Sequence, residues 1–290
     1  MNAPAIERYV TPRTLAAAAE ALRNADALVV AGGTDVMPQV HSGKLRWQAA
    51  LVNINGIDEL RGLDERDGVL RIGALTTISA LLRSTLVRER LGLLWQACNA
   101  FASDQIRNAA TLGGNLCNAS PAGDSLVPLL ALDARVVLVA KPGNELLQRT
   151  LPLDAFFTGP GRTLRTPREL LAWVEVPLPP AGYRSEFLKF GARPALDIST
   201  ISLGVGAQMV EGRWRGVRIA IGAVAPTPIR ARATEAALEG QPVGAAAIEA
   251  ALAAVAADIH PISDVRASEW YRRELVHNLL RRVLGRVSER

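Results

Sequence analysis

Apolar positions recur along this 290-residue chain at two different periods, and the changes of period divide it into three sections. In "TPRTLAAAAEALRNA" leucines and alanines fall at helical spacing. Thr11 followed by Pro12 reads as an N-cap and a first helical residue, so a helix is predicted from there. The short apolar runs "ALVVAGG" and "AALVNI" read as strands and make a β-α-β opening, a small α/β lobe over 1–56. From "DGVLRIGALTTISAL" the order becomes strand, then helix through "TLVRERLGLLWQACNAFAS", then a second glycine-rich segment, then "ARVVLVA" and "LLAWVEVP" as strands. This is a mixed lobe over 57–178. After the proline-rich "PLPPAG", the runs "YRSEFLKF", "TISLGVGAQM" and "WRGVRIAIGAV" alternate apolar with polar residues, as a half-exposed antiparallel sheet does. Two helices, "GAAAIEAALAAVAADI" and "ASEWYRRELVHNLLRRVLGRV", close a third section over 179–290. The last is basic and amphipathic, and it is expected to pack Leu275, Leu279, Leu280 and Val283 on that sheet rather than lie on a membrane.

Composition narrows the classes. Hydrophobic residues make up 49% of the chain, enough for real cores, while aromatics are only 4%. The net charge of +5 comes from scattered arginines, since Lys44, Lys141 and Lys189 are the only lysines, and this argues against nucleic-acid binding. Glu7 and Arg8 sit where a signal peptide would be apolar, and "LVPLLALDARVVLVA" is broken by Asp133 and Arg135. A cytoplasmic protein with no membrane insertion is expected. Cys98 and Cys117 form no C-x-x-C pair and are read as free thiols, and His41, His260 and His277 stand far apart. The chain holds no metal site and no iron–sulfur ligand set of its own.

Two places carry candidate chemistry: "LVVAGGTDVM" and "AATLGGNLCNASPAGD" each set Gly-Gly beside small polar residues. Backbone N–H groups in a loop without Cβ atoms are well suited to a pyrophosphate, which is doubly negative and rich in acceptors. Neither segment is a G-x-G-x-x-G or a P-loop, and neither contains lysine, so neutral amides would do the electrostatic work. Asp35 could tie down N–H groups of its own turn, and Asp124 could accept from sugar or ribityl hydroxyls. Each segment alone could be an ordinary tight turn; together they point to a ligand such as FAD gripped from two sides.

"VVAGGTDV" and "TLGGNLCNASPAGD", followed in order by "FFTGPGRT", "FLKFGARPALDIS" and "SEWYRREL", resemble the FAD-binding medium subunit of the molybdenum hydroxylases, the xanthine and carbon monoxide dehydrogenase family. The resemblance implies an α+β fold: a two-lobed FAD-binding domain of the vanillyl-alcohol-oxidase/PCMH type, with a C-terminal domain of a small antiparallel sheet and helices. It places Val29, Val30, Ala31, Gly32, Gly33, Thr34, Asp35 and Val36 in a first pyrophosphate loop, and Thr111, Leu112, Gly113, Gly114 and Asn115 in a second. It puts Asp124 at the sugar or ribityl hydroxyls, Phe101 and Leu171 beside the isoalloxazine, and Lys189 near the ring's pyrimidine edge, where a cation would stabilise the reduced flavin. No side chain is assigned as acid or base, because the redox centre is the FAD.

The family's other centres, a molybdenum-pterin cofactor and [2Fe-2S] clusters, are expected in a large molybdopterin-binding subunit and a small [2Fe-2S] subunit, in a dimer of heterotrimers. An external electron acceptor completes the implied scheme. Where many relatives read Gly-Tyr-Arg-Lys-Thr, this chain has Gly159-Pro160-Gly161-Arg162-Thr163. Two other readings are a self-contained FAD-dependent oxidase or reductase of the same flavin fold, and a non-catalytic scaffold subunit. The sparse histidines and compact third section argue against the first, the two intact Gly-Gly segments against the second.

Overall fold

The computed structural model describes residues 6–23, 27–193 and 196–289. Its strands in chain order are β1 Arg8–Val10, β2 Ala27–Val30, β3 Ala50–Asn53, β4 Leu63–Arg66, β5 Val69–Gly73, β6 Arg135–Ala140 and β7 Leu147–Pro152. They continue as β8 Phe157–Gly159, β9 Arg162–Thr163, β10 Leu170–Pro177, β11 Arg184–Phe190, β12 Ile201–Val210, β13 Arg213–Gly222 and β14 Ile229–Arg230.

The first lobe is a parallel sheet of order β1-β3-β2. β1 adds a strand that pattern reading missed, because "RYV" is too short to establish a period. The helix of this lobe begins three residues later than predicted. Thr14, not Thr11, is the N-cap: its hydroxyl accepts from Ala17 N–H at 3.1 Å, and the helix runs Leu15–Ala21. That helix buries Leu15, Ala18 and Leu22 against Val52, Ile54 and Ile57, and against Val139, Leu170 and Ala172 of the second lobe. The two lobes therefore share a core.

The second lobe is an antiparallel sheet, β4-β5-β10-β6-β7. β10 departs for most of a hundred residues before returning between β5 and β6, so the order could not be read from local pattern. The predicted long helix after Thr85 is two helices, Thr85–Arg90 and Gly92–Asn99. Leu91 (φ −125°, ψ 51°) breaks the run, and its fully buried side chain stays in the core. The break lets Leu93, Leu94 and Cys98 point inward beside Val87.

The third section is the antiparallel sheet β11-β12-β13-β14, covered by helices that include Ala245–Ala254 and Glu269–Glu289. Leu275, Leu280 and Val283 are buried on the sheet and Leu279 packs at its margin. No helix among the described residues is long and apolar enough to cross a membrane.

An ionic network ties this section to the second lobe. Arg230 donates to Glu235 at 2.6 and 3.0 Å, to Leu130 O at 3.2 Å and to the Asp133 carboxylate, which also accepts from Arg218 at 2.7 Å. Burial works to raise the Asp133 pKa, but Arg218 and Arg230 outweigh it and hold the carboxyl below its usual range. Stability from this group is therefore present above the ordinary carboxylate pKa and lost as pH falls through the depressed value. Asp133→Asn, which tolerates the site's φ of 52°, should lower stability at neutral pH by about 1 kcal/mol, given the group's partial exposure. Melting temperatures followed into acid should converge on wild type; a constant offset would refute the assignment.

Candidate functional site

The first glycine segment joins β2 to the helix Val36–His41, and the second opens the helix Leu112–Asn118. They are in direct contact. A Cβ on Gly32 would lie 1.8 Å from the carbonyl oxygen of Ala109, so only glycine lets the two backbones meet. Gly113 serves the same kind of close approach, its missing Cβ falling 2.7 Å from the Ala74 Cβ and 2.9 Å from the Ala74 oxygen. Gly33 is needed for conformation, with φ +72° and nothing nearer to an added Cβ than Met37 Cγ at 3.8 Å.

Along this seam lies a cavity of about 980 Å³, walled by all three sections. Ala31 to Val36 and Val29 line it from the first lobe; Phe101, Thr111, Gly113, Gly114, Asn115 and Leu171 line it from the second. Four predicted residues do not reach it. Val30, at the end of β2, does not line it, although Ala27, Leu28, Val29 and Ala31 do. Leu112 is fully buried in the second lobe's own core. Asp124 and Lys189 sit behind the wall as a pair.

The two segments differ in what they can offer a ligand. The second is not a loop of free amides. Leu112 N–H donates to Thr76 O, Gly113 N–H to Ala74 O, Gly114 N–H to the Thr111 hydroxyl and Asn115 N–H to Thr111 O. Its contribution is the Asn115 side chain, whose Oδ1 accepts from the Ser125 hydroxyl at 2.6 Å and so leaves the amide NH₂ end as the donor. In the first segment the N–H groups of Gly32, Gly33, Thr34 and Asp35 find no acceptor among the described residues. Amides in this state call for water or a ligand. Asp35 does not tie down its turn: it makes no side-chain cap bond. Burial raises its pKa, with Lys44 opposing.

Asp124 and Lys189 are joined at 2.7 Å, with side chains 11% and 10% exposed. Asp124 also accepts from Ser199, a cavity-lining hydroxyl, at 3.1 Å. Burial raises the Asp124 pKa and the Lys189 and Ser199 contacts only partly offset it. Neither thiol is ionised at neutral pH: burial, then Asp124, pushes Cys98 up to about 12, and burial raises Cys117.

Sequence reasoning missed Lys44, Arg165, His260 and Arg272, which also line the cavity. Their positions carry no local motif, and they converge through the tertiary fold. The departure at 159–163 is the tight hairpin β8–β9, where Pro160 and Gly161 line the cavity and Gly161 N–H donates to Ala119 O at 3.0 Å.

The profile described as "FAD binding domain in molybdopterin dehydrogenase" matches residues 4–179, and that of the "CO dehydrogenase flavoprotein C-terminal domain" matches 186–287. The chain belongs to the FAD-binding subunits of the molybdenum hydroxylases. Within this family it is 36% identical over 280 residues to the xanthine dehydrogenase FAD-binding subunit of Escherichia coli O157:H7, covering 96% of this chain and 94% of that one. It is 32% identical over 283 residues to the carbon monoxide dehydrogenase medium chain of Hydrogenophaga pseudoflava, covering 96% and 95%. A solved carbon monoxide dehydrogenase structure from the latter organism superposes with a TM-score of 0.92 at 32% identity, covering 99% of this chain and 98% of that one. The α+β fold, with antiparallel sheets toward the C-terminus, is that of this flavin subunit.

Proposed function

We propose that this FAD-binding subunit is an electron-transfer module, receiving electrons from [2Fe-2S] clusters of a partner and passing them through FAD to an external acceptor. The observation that carries the reading is the run of unpartnered amides at Gly32 to Asp35, facing a cavity walled by both lobes. Its donor set fits the pyrophosphate of FAD: neutral N–H groups on one side, the Asn115 amide on the other, and Lys44 and Arg165 near enough to line the same space. FAD, when bound, supplies the ability to accept electrons singly and release them in pairs.

The chain's own residues hold and shape. Gly32 to Asp35 would take the pyrophosphate, while Phe101 and Leu171 exclude water from the ring. The Asp124–Lys189 pair would set the field near the ring and the ribityl hydroxyls from behind Ser199. In this reading the units 1–56, 57–178 and 179–290 each contribute a wall. The partners are a large molybdopterin-binding subunit and a small [2Fe-2S] subunit in a cytoplasmic dimer of heterotrimers.

The test is a visible absorption spectrum of the chain purified alone and co-expressed with its genomic neighbours, with the cofactor released by acid and identified. Flavin bands and released FAD, joined by iron–sulfur absorbance only in the co-expressed complex, are expected. No flavin in either preparation would leave the scaffold reading standing.

A further inference from the structure

Three consecutive carbonyls at the end of the helix Gly92–Asn99 are held by two cations from different parts of the chain. Lys189 Nζ donates to Ala100 O at 3.3 Å. Arg107 Nη1 donates both to Phe101 O at 2.5 Å and to Ala102 O at 3.0 Å. The turn they hold is not one the backbone would choose, since Ala102 has φ +33° and is not glycine. The one large side chain on it is Phe101, which lines the cavity and is 8% exposed.

Arg107 is itself well anchored. It lies on the helix Asp104–Ala109, its second Nη bonds Asp104, and its side chain is 14% exposed. The same short helix ends at Ala109, whose carbonyl is the surface against which Gly32 packs. The guanidinium therefore fixes the Phe101 ring relative to the seam where the two glycine segments meet. With one Nη on both carbonyls and the other on Asp104, the planar guanidinium ties the turn to its own helix at a fixed angle, which an ammonium on a flexible stem holds less well.

We propose that Arg107 is a positioning residue for the cofactor, acting through Phe101: by clamping the 101–102 turn it sets the ring that walls the flavin end of the cavity. The inference rests on the FAD reading above. A plain helix cap would stabilise the fold equally whatever side chain stood at 101. A positioning residue matters to the flavin only while the ring is there.

The experiment is a double-mutant cycle on the full-length chain loaded with FAD. Arg107→Met is made in the wild-type and Phe101→Leu backgrounds. FAD dissociation is read by flavin fluorescence, and the flavin's asymmetric environment by visible circular dichroism. Arg107→Met is expected to weaken FAD binding about tenfold and alter the dichroic band when Phe101 is present, but to change affinity less than about twofold in Phe101→Leu. Arg107→Lys, which keeps the charge and should fold if Arg107→Met does not, is expected to fall between wild type and Met and to lose its effect likewise in Phe101→Leu. Equal effects of either variant in both backgrounds would overturn the inference alone, leaving the cofactor reading intact. A wild-type chain that takes up no FAD would overturn the cofactor reading and this inference with it.

Discussion

Gly32→Ala is expected to give a chain with little FAD and a markedly lower melting temperature. The added methyl would stand 1.8 Å from the Ala109 carbonyl oxygen, a backbone atom with no rotamer to change. The clash is relieved only by separating the two glycine segments, which widens the seam and displaces the amides of Gly33 and Thr34. A cost of about 3 kcal/mol, the upper end for overpacking, corresponds to a fall of roughly 5 °C in a chain of this length. FAD affinity of the purified variant should fall at least about tenfold, the change in Kd that about 1.4 kcal/mol produces. Gly68→Ala is the control. Unlike Gly32 it has a positive φ, 75°, but an added Cβ there meets nothing within 4 Å, so its variant should cost only backbone strain, about 1 kcal/mol, and keep its flavin. Full FAD occupancy and an unchanged melting temperature in Gly32→Ala would contradict the packed seam.

The second large effect is expected at Lys189. Lys189→Met leaves the Asp124 carboxylate buried without its partner, a situation that costs about 3–5 kcal/mol. Replacing both, as Lys189→Met with Asp124→Leu, should recover most of that loss, because the pair is then exchanged for apolar contact. The pH dependence distinguishes this from simple loss of packing. Burial already raises the Asp124 pKa with Lys189 opposing, and removing Lys189 removes the opposition. A carboxyl whose folded pKa is raised destabilises progressively as pH climbs from its unfolded value through the folded one. The deficit of Lys189→Met should thus be largest at neutral pH and shrink on acidification. A deficit independent of pH, or a double variant no better than the single, would show that the ion pair is not the cause. If the pair also sets the field at the ring, Lys189→Met carrying FAD should have a lower reduction potential than wild type.

Much of the fold was legible because its elements are locally self-consistent. β10 coincides with "LLAWVEVP", and β11 to β13 lie in the runs read as strands. But β12 is buried on both faces from Ile201 to Ala207 instead of half-exposed as expected, because Leu93 and Val127 of the second lobe cover the face opposite the helices. Errors came where a local signal had competitors. Two threonines could cap the first helix, and the one whose hydroxyl reaches an N–H three residues on was Thr14. The run after Thr85 is apolar enough for one helix, and the break at Leu91 follows from where the core lies, not from any breaker residue.

For the site, the sequence by itself determined the two Gly-Gly segments, the small polar residues beside them and the family they belong to. It could do so because glycine is demanded by backbone geometry, a constraint that local residue identity records directly. Only the tertiary structure decided what each glycine is for. Gly32 and Gly113 admit other protein backbone, Gly33 admits a conformation, and the free amides are confined to the first segment. It also decided that Asp124 and Lys189 form one buried unit, and that Lys44, Arg165, His260 and Arg272 share a cavity with the glycines. Those are contacts between residues tens to hundreds of positions apart. Their energy comes from burial and charge pairing after the chain has closed, so no short stretch of sequence carries them.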